Sequence, residues 1–131
     1  MSCKNMTCTG TLAVSGTKNR IVEVGKGYLS LNAYETAECY FGDIGEGVIG
    51  ENGEIEIAID EDFKKTIDLS VPYQVFITKY GEGDCWVERG KESFIVHGTP
   101  DMKFGWELKA KQKGYTEDRL KKFDPITSMQ N

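Results

Sequence analysis

Apolar and polar residues alternate along several stretches of the chain. In Glu54–Ile59 three isoleucines share one face and the glutamates lie on the other, and Tyr28–Ala33 follows the same pattern. In Met102–Lys111 five apolar residues alternate with lysines, a glycine and a glutamate. Because successive side chains of a strand point to opposite faces, this period of two predicts β-strands and excludes a surface helix over Met102–Lys111.

Short glycine-rich segments separate the strand-like runs. Fifteen glycines against three prolines favour many turns over long helices. Near the N-terminus two apolar runs flank Ser15–Asn19, which we interpret as the tight turn of a hairpin, and Gly42–Gly47 is interpreted as a connecting loop. These turn segments between strand-like runs favour a succession of hairpins as the topology. The predicted strands are Thr11–Val14, Arg20–Val24, Tyr28–Ala33, Glu38–Phe41, Val48–Ile49, Glu54–Ile59, Tyr73–Tyr80, Cys85–Glu88, Ser93–His97 and Met102–Lys111.

One predicted strand, Tyr73–Tyr80, is apolar on both faces. Its odd-numbered residues up to Ile77 form one apolar face, and Phe76 and Tyr80 lie on the other. Such a strand either lies centrally between two layers or is covered by another chain. Of these two alternatives we favour the central position.

Helical signals are scarce. Asp60–Ile67 has acids first, lysines later and two apolar residues four apart, which predicts one or two helical turns. Thr116–Phe123 is a second candidate, with Thr116 as its N-cap. The fold class predicted from these patterns is all-β: an antiparallel β-sandwich or barrel-like meander with one or two short helices. The predicted organisation is a flexible lead-in or the end of a longer polypeptide over 1–9, a globular β domain over 10–115, and a short helix with a C-terminal tail over 116–131.

Charge argues against a nucleic-acid partner. The net charge is −5, and residues 1–102 carry nine basic against 17 acidic side chains. Neutralising phosphates needs clustered lysine and arginine, which this acidic region lacks. The segment 103–122 is locally basic, with seven basic and three acidic side chains. A solvated face is the favoured explanation, and contact with an acidic neighbour is the alternative. No apolar run reaches 18 residues, so membrane insertion is not predicted.

No residue pattern predicts catalysis, a cofactor or a metal. The four cysteines (Cys3, Cys8, Cys39, Cys85) form no Cys-x-x-Cys pair, so free thiols are expected, although a bridge involving Cys3 or Cys8 stays open. The single histidine, His97, has no nucleophile in a known signature, and a structural hydrogen bond is its default role.

Five aromatic side chains are the candidate surface-binding or interface residues. Most lie beside glycine-rich turns, where they could stack on sugar rings or cover a subunit interface, and core packing is the competing explanation. They are Tyr34, Tyr40, Phe76, Tyr80 and Trp86.

Several short motifs resemble a β domain found near the C-termini of tail-fibre and minor structural proteins of bacteriophages. The resemblance spans about Gly10 to Tyr115 and brings no catalytic residues with it. The motifs that carry it are Val14–Asn19, Ala33–Glu38, Tyr40–Gly45, Tyr73–Gly81, Phe94–Val96 and Phe104–Lys111.

The resemblance implies a non-enzymatic virion structural domain that caps a phage tail or neck fibre and contacts the host. It implies a homo-oligomer, with a trimer favoured, which would adjoin an upstream fibre segment and would be made in the bacterial cytoplasm. One alternative is a carbohydrate-binding module that recognises a host cell-surface glycan. Another is an intramolecular chaperone that cleaves itself, for which Ser15, Thr17 and Lys18 are the suggestive residues.

Overall fold

The computed structural model describes residues 4–124. The chain divides into two compact units, of which the first ends at Glu35 and the second begins at Thr36. In chain order the elements are β1 (Asn19–Val24), β2 (Gly27–Asn32), β3 (Tyr40–Val48), β4 (Glu54–Ala58), α1 (Glu61–Lys64), β5 (Gln74–Lys79), β6 (Cys85–Arg89), β7 (Ser93–Gly98) and β8 (Lys103–Lys111).

The first unit is a β-hairpin. Strands β1 and β2 pair antiparallel from Asn19 opposite Asn32 to Val24 opposite Gly27. Gly25 has φ +58°, the left-handed conformation that a tight hairpin turn requires and glycine adopts without strain. The strand predicted over Thr11–Val14 does not form, because β1 pairs with the strand that follows it and the turn lies at Gly25.

The second unit contains two three-stranded antiparallel sheets. One has the order β3-β8-β5 and the other β4-β7-β6. Phe94 and Val96 of β7 and Phe104 and Leu108 of β8 are each no more than 1% exposed and belong to one core cluster. Because neither sheet closes on itself within residues 36–124, the fold is an all-β sandwich with a short helix, as predicted, and the barrel alternative is wrong.

Strand β3 runs unbroken through the segment expected to be a loop. Gly42–Gly47 was the predicted connection, yet it pairs with β8 along its whole length. A Cβ built on Gly45 would lie 2.5 Å from Cζ2 of Trp106, and one on Gly47 would lie 2.7 Å from Cζ of Phe104. These glycines therefore make room for the aromatic rings of β8 and do not form a turn.

One of the two predicted helices forms. Asp60 caps α1, because its carboxylate accepts hydrogen bonds from the amides of Asp62 and Phe63, both at 2.9 Å. The helix predicted over 116–123 is absent, and the chain there is held by tertiary contacts. Arg119 forms an antiparallel bridge with Glu38, and the amide of Leu120 donates to the carbonyl of Ala37. Residues 125–131 lie outside the described part of the chain.

Candidate functional site

The outer face of the β3-β8-β5 sheet carries large exposed apolar side chains. Ile44 of β3 is 76% exposed, Phe76 of β5 is 52% exposed, and Tyr80, just after β5, is 60% exposed. Ile44 and Phe76 both lie opposite Glu107, so Ile44, Glu107 and Phe76 form one row across the sheet. Packing in the core does not account for these exposed apolar side chains, so the row is a candidate binding surface.

Strand β5 is an edge strand, which corrects the predicted central position of Tyr73–Tyr80. The central strand of the sheet is β8, and Phe76 points away from the core. Its inward neighbours Val75 and Ile77 pack against the core cluster. The second apolar face of this strand is therefore uncovered in the structure. The other alternative from the sequence, coverage by another chain, stays a prediction.

A shallow groove of about 410 Å³ lies on this face. Its floor is formed in part by Gly105, which has no side chain and is buried. The Tyr80 ring lies close to Gly105, because a Cβ built there would be 2.9 Å from the phenol oxygen and 3.0 Å from Cε2. The amide of Tyr80 donates to the carbonyl of Lys103 at 2.9 Å, which fixes the backbone of Tyr80 beside β8. The remaining side chains of the groove include Ile44, Glu46, Phe76, Thr78 and Glu107.

The composition of this groove suits a polar ring that has one apolar face. Phe76 and Tyr80 supply aromatic surface, and an exposed tyrosine also offers a hydroxyl. Glu46 and Glu107 supply acceptors, and Thr78 supplies a hydroxyl that both donates and accepts. The groove can therefore combine stacking with several hydrogen bonds; we name it the outer groove, defined by Ile44, Glu46, Phe76, Thr78, Tyr80, Gly105 and Glu107.

Of the five aromatic residues proposed from the sequence, the structure brings two together in the outer groove, Phe76 and Tyr80. Trp86 lies on the outer face of the other sheet, where its ring stacks on His97. Tyr34 belongs to the first unit and is 84% exposed. Tyr40 lies beside the Glu38 cluster.

Sequence reasoning missed Ile44, Thr78, Gly105 and both glutamates of the outer groove. The signal was present for two of them, since the polar face of Met102–Lys111 holds one glycine among charged residues. Ile44 could not be found in this way, because Gly42–Gly47 was assigned to a loop, and residues of a loop cannot be assigned to one face of a sheet.

Glu38 organises a partly buried ionic cluster. Its carboxylate accepts hydrogen bonds from Lys111, from Arg119 at 2.9 Å and from the Tyr40 hydroxyl at 3.1 Å. The bonds to Lys111, Arg119 and Tyr40, in that order of size, outweigh burial and lower the pKa of Glu38 to about 2. Lys111 and Arg119 are thereby tied to the start of the second unit. We assign this cluster to stability.

The remaining candidates from the sequence have these positions. Cys8, Cys39 and Cys85 are free thiols, and Cys3 is outside the described residues. Among residues 4–124, no group of three His, Cys, Asp or Glu side chains is placed to hold a metal ion. The ammonium of Lys18 pairs with Glu35 at 2.6 Å, in the same exposed segment as Ser15 and Thr17. No helix in the described part of the chain is long and apolar enough to span a membrane.

No known family model matches this chain, and neither a curated protein nor a solved structure matches it.

Proposed function

We propose that this chain is a non-enzymatic binding domain of a phage tail or neck fibre, and that its outer groove contacts a saccharide on the host surface. In this proposal the protein is made in the bacterial cytoplasm, is incorporated into the virion next to an upstream fibre segment, and functions as a homo-oligomer, with a trimer favoured. The phage assignment is supported by the motif resemblance over Gly10–Tyr115 and the saccharide assignment by the outer groove.

The observation that carries the saccharide proposal is the pair of exposed aromatic side chains, Phe76 and Tyr80, in a groove that Gly105 helps to line. Phe76 is 52% exposed and Tyr80 is 60% exposed. Gly105 leaves the space in which the Tyr80 ring lies close to the backbone. A sugar presents apolar C–H groups on one side and hydroxyl groups around its rim. The glutamates and Thr78 are placed to bind such a rim.

The test is binding of the full chain to an array of immobilised saccharides. We expect at least one saccharide to be retained, and we expect Tyr80→Ala to weaken its binding about tenfold, the equivalent of about 1.4 kcal/mol. The matched control is Tyr28→Ala, because Tyr28 is a 71% exposed tyrosine in the first unit, outside the outer groove. Retention of no saccharide, or equal weakening by both variants, would contradict the proposal.

The oligomeric part of the proposal has a separate test. Light scattering of the full chain across micromolar concentrations should give the mass of an oligomer, with a trimer as the expected state. A mass equal to one chain of 14.7 kDa at every concentration would refute oligomerisation by this chain and would leave the saccharide result unaffected.

A further inference from the structure

Strand β6 forms one edge of the β4-β7-β6 sheet, and the outer face there is acidic. The outward positions of β4 and β6 include three glutamates, and the outward positions of the three strands hold neither lysine nor arginine. The largest outward side chain is Trp86 of β6, which is 60% exposed. We name this surface the β6 edge, although it extends over the outer face of all three strands. It consists of Glu54, Glu56, Trp86, Glu88, Ser93, Ile95 and His97.

The Trp86 ring is held in a fixed position. It stacks on His97 with ring centroids 4.1 Å apart and planes inclined by 15°. His97 lies between two carboxylates, with Nε2 2.9 Å from Glu88 and Nδ1 3.5 Å from Glu54. Because His97 covers one side of the indole, the exposure of Trp86 comes from its other side. The electron-rich face of an indole beside carboxylates attracts a cation.

The backbone of β6 is unpaired on the side away from β7. The amide of Thr99 donates a hydrogen bond to the carbonyl of Asp84, the residue before β6. In an antiparallel ladder every second residue of a strand forms hydrogen bonds with the same neighbouring strand. Counting from Asp84, the backbone groups of Trp86 and Glu88 therefore bond to β7, whereas those of Cys85 and Val87 face outward. No backbone hydrogen bond from another part of residues 4–124 reaches these two residues. An unpaired edge is a template for an added strand.

We propose that the β6 edge binds an extended arginine-containing segment of a second protein as an added strand. Alternate residues of an extended chain are about 6.8 Å apart and lie on one face, as Trp86 and Glu88 do on β6. Residues i and i+2 of the added segment therefore lie beside those two side chains. Arginine fits both positions, since its planar guanidinium stacks on an indole and pairs with a carboxylate through two hydrogen bonds.

Complementary charge determines the occupant. Glu54, Glu56 and Glu88 give this face three negative charges, and its outward positions hold neither lysine nor arginine. An acidic segment would be repelled, and a neutral segment would add no positive charge to balance the three carboxylates. The β6 edge lies on a different sheet from the outer groove, so the result of the peptide test and the result of the saccharide test do not depend on each other.

The test uses the full chain and a fluorescent ten-residue peptide of alternating arginine and threonine, with binding followed by anisotropy at low salt. Two comparison peptides separate charge from strand addition. One has glutamine in place of arginine, and the other carries N-methyl groups on the amides that would face β6. We expect the first peptide to bind and both comparison peptides to lose most of that binding.

Variants locate the site. We expect Trp86→Ala to weaken binding between about twofold and thirtyfold, the range for a cation placed over an indole. Glu88→Gln should also weaken it, and Glu46→Gln, which removes a glutamate from the outer face of the other sheet, should not. Circular dichroism checks that each variant keeps its strands.

Four results would overturn the proposal. They are absence of binding by the arginine peptide, equal binding by the glutamine peptide, equal binding by the N-methylated peptide, and equal weakening by Glu46→Gln and Glu88→Gln. Equal binding by the N-methylated peptide would indicate simple charge attraction without strand addition.

Discussion

Gly47 is the position where the packing of the sandwich gives the sharpest quantitative prediction. A Cβ at this position would lie 2.7 Å from Cζ of Phe104, whereas ordinary contact begins near 3.4 Å. Phe104 is fully buried, so its ring can retreat only by displacing other core side chains. Such overpacking costs about 1–3 kcal/mol, and replacing a strand glycine by alanine returns about 0.5–1 kcal/mol of chain entropy. We expect Gly47→Ala to destabilise the protein by up to about 2.5 kcal/mol.

The assay is urea unfolding, followed by circular dichroism, of four chains: the wild type, Gly47→Ala, Phe104→Leu and the double variant. Because leucine removes the ring atoms that the new methyl group meets, the double variant should be more stable than the sum of the single effects by about 0.5–3 kcal/mol. Gly42→Ala is the matched control on the same strand, since its Cβ would meet only the Leu108 carbonyl oxygen at 3.5 Å. Additive effects, or equal costs at Gly42 and Gly47, would refute the steric explanation.

Two further predictions concern the ionic cluster and the outer groove. Since the pKa of Glu38 is lowered to about 2 from 4.5, its contribution to stability is complete above pH 4.5 and is lost as the pH falls toward 2. Glu38→Gln should reduce the unfolding midpoint at pH 6 and flatten its fall between pH 4.5 and 2, and an unchanged slope would contradict this. Gly105→Ala should displace the exposed Tyr80 ring and weaken saccharide retention, with a smaller loss of stability than Gly47→Ala because the displaced ring is exposed and not in the core. Saccharide retention equal to that of the wild type, or a much larger loss of stability, would show that the Tyr80 ring is not displaced by the new methyl group.

The sequence predicted those strands whose two faces differ. Strands β4 and β8 follow from strict alternation, because one face is in the core and the other in solvent. Both ends of β3 were predicted as strand, but its middle, Gly42–Gly47, was missed for a physical reason: Gly45 and Gly47 are needed because Trp106 and Phe104 occupy the space above them. A glycine required by a neighbouring ring cannot be distinguished in sequence from a glycine required by a turn.

Long-range pairing explains the wrong helix. The segment 116–123 has a helical charge pattern, but Arg119 pairs with Glu38, which is 81 residues away in sequence. Local propensity is weak and gives way to such contacts. The outer groove also depends on long-range pairing, since Ile44, Phe76 and Glu107 come from three strands that are distant in sequence. Exposed aromatic residues could be proposed from the sequence, but their grouping depends on the register of β3, β8 and β5.

The central position of β8 has a consequence for how the protein is assembled during synthesis. Strands β3 and β5 are not paired with each other, and each is paired in this sheet only with Lys103–Lys111. During synthesis this sheet cannot form until β8, the ninth helix or strand in chain order, has emerged from the ribosome. Until then the apolar inner face of β5, which includes Val75 and Ile77, lacks its partner strand. Contacts of such long sequence separation slow folding. We therefore expect the nascent chain to be most open to aggregation just before β8 emerges, when β5 still has an unpaired edge and an uncovered apolar face.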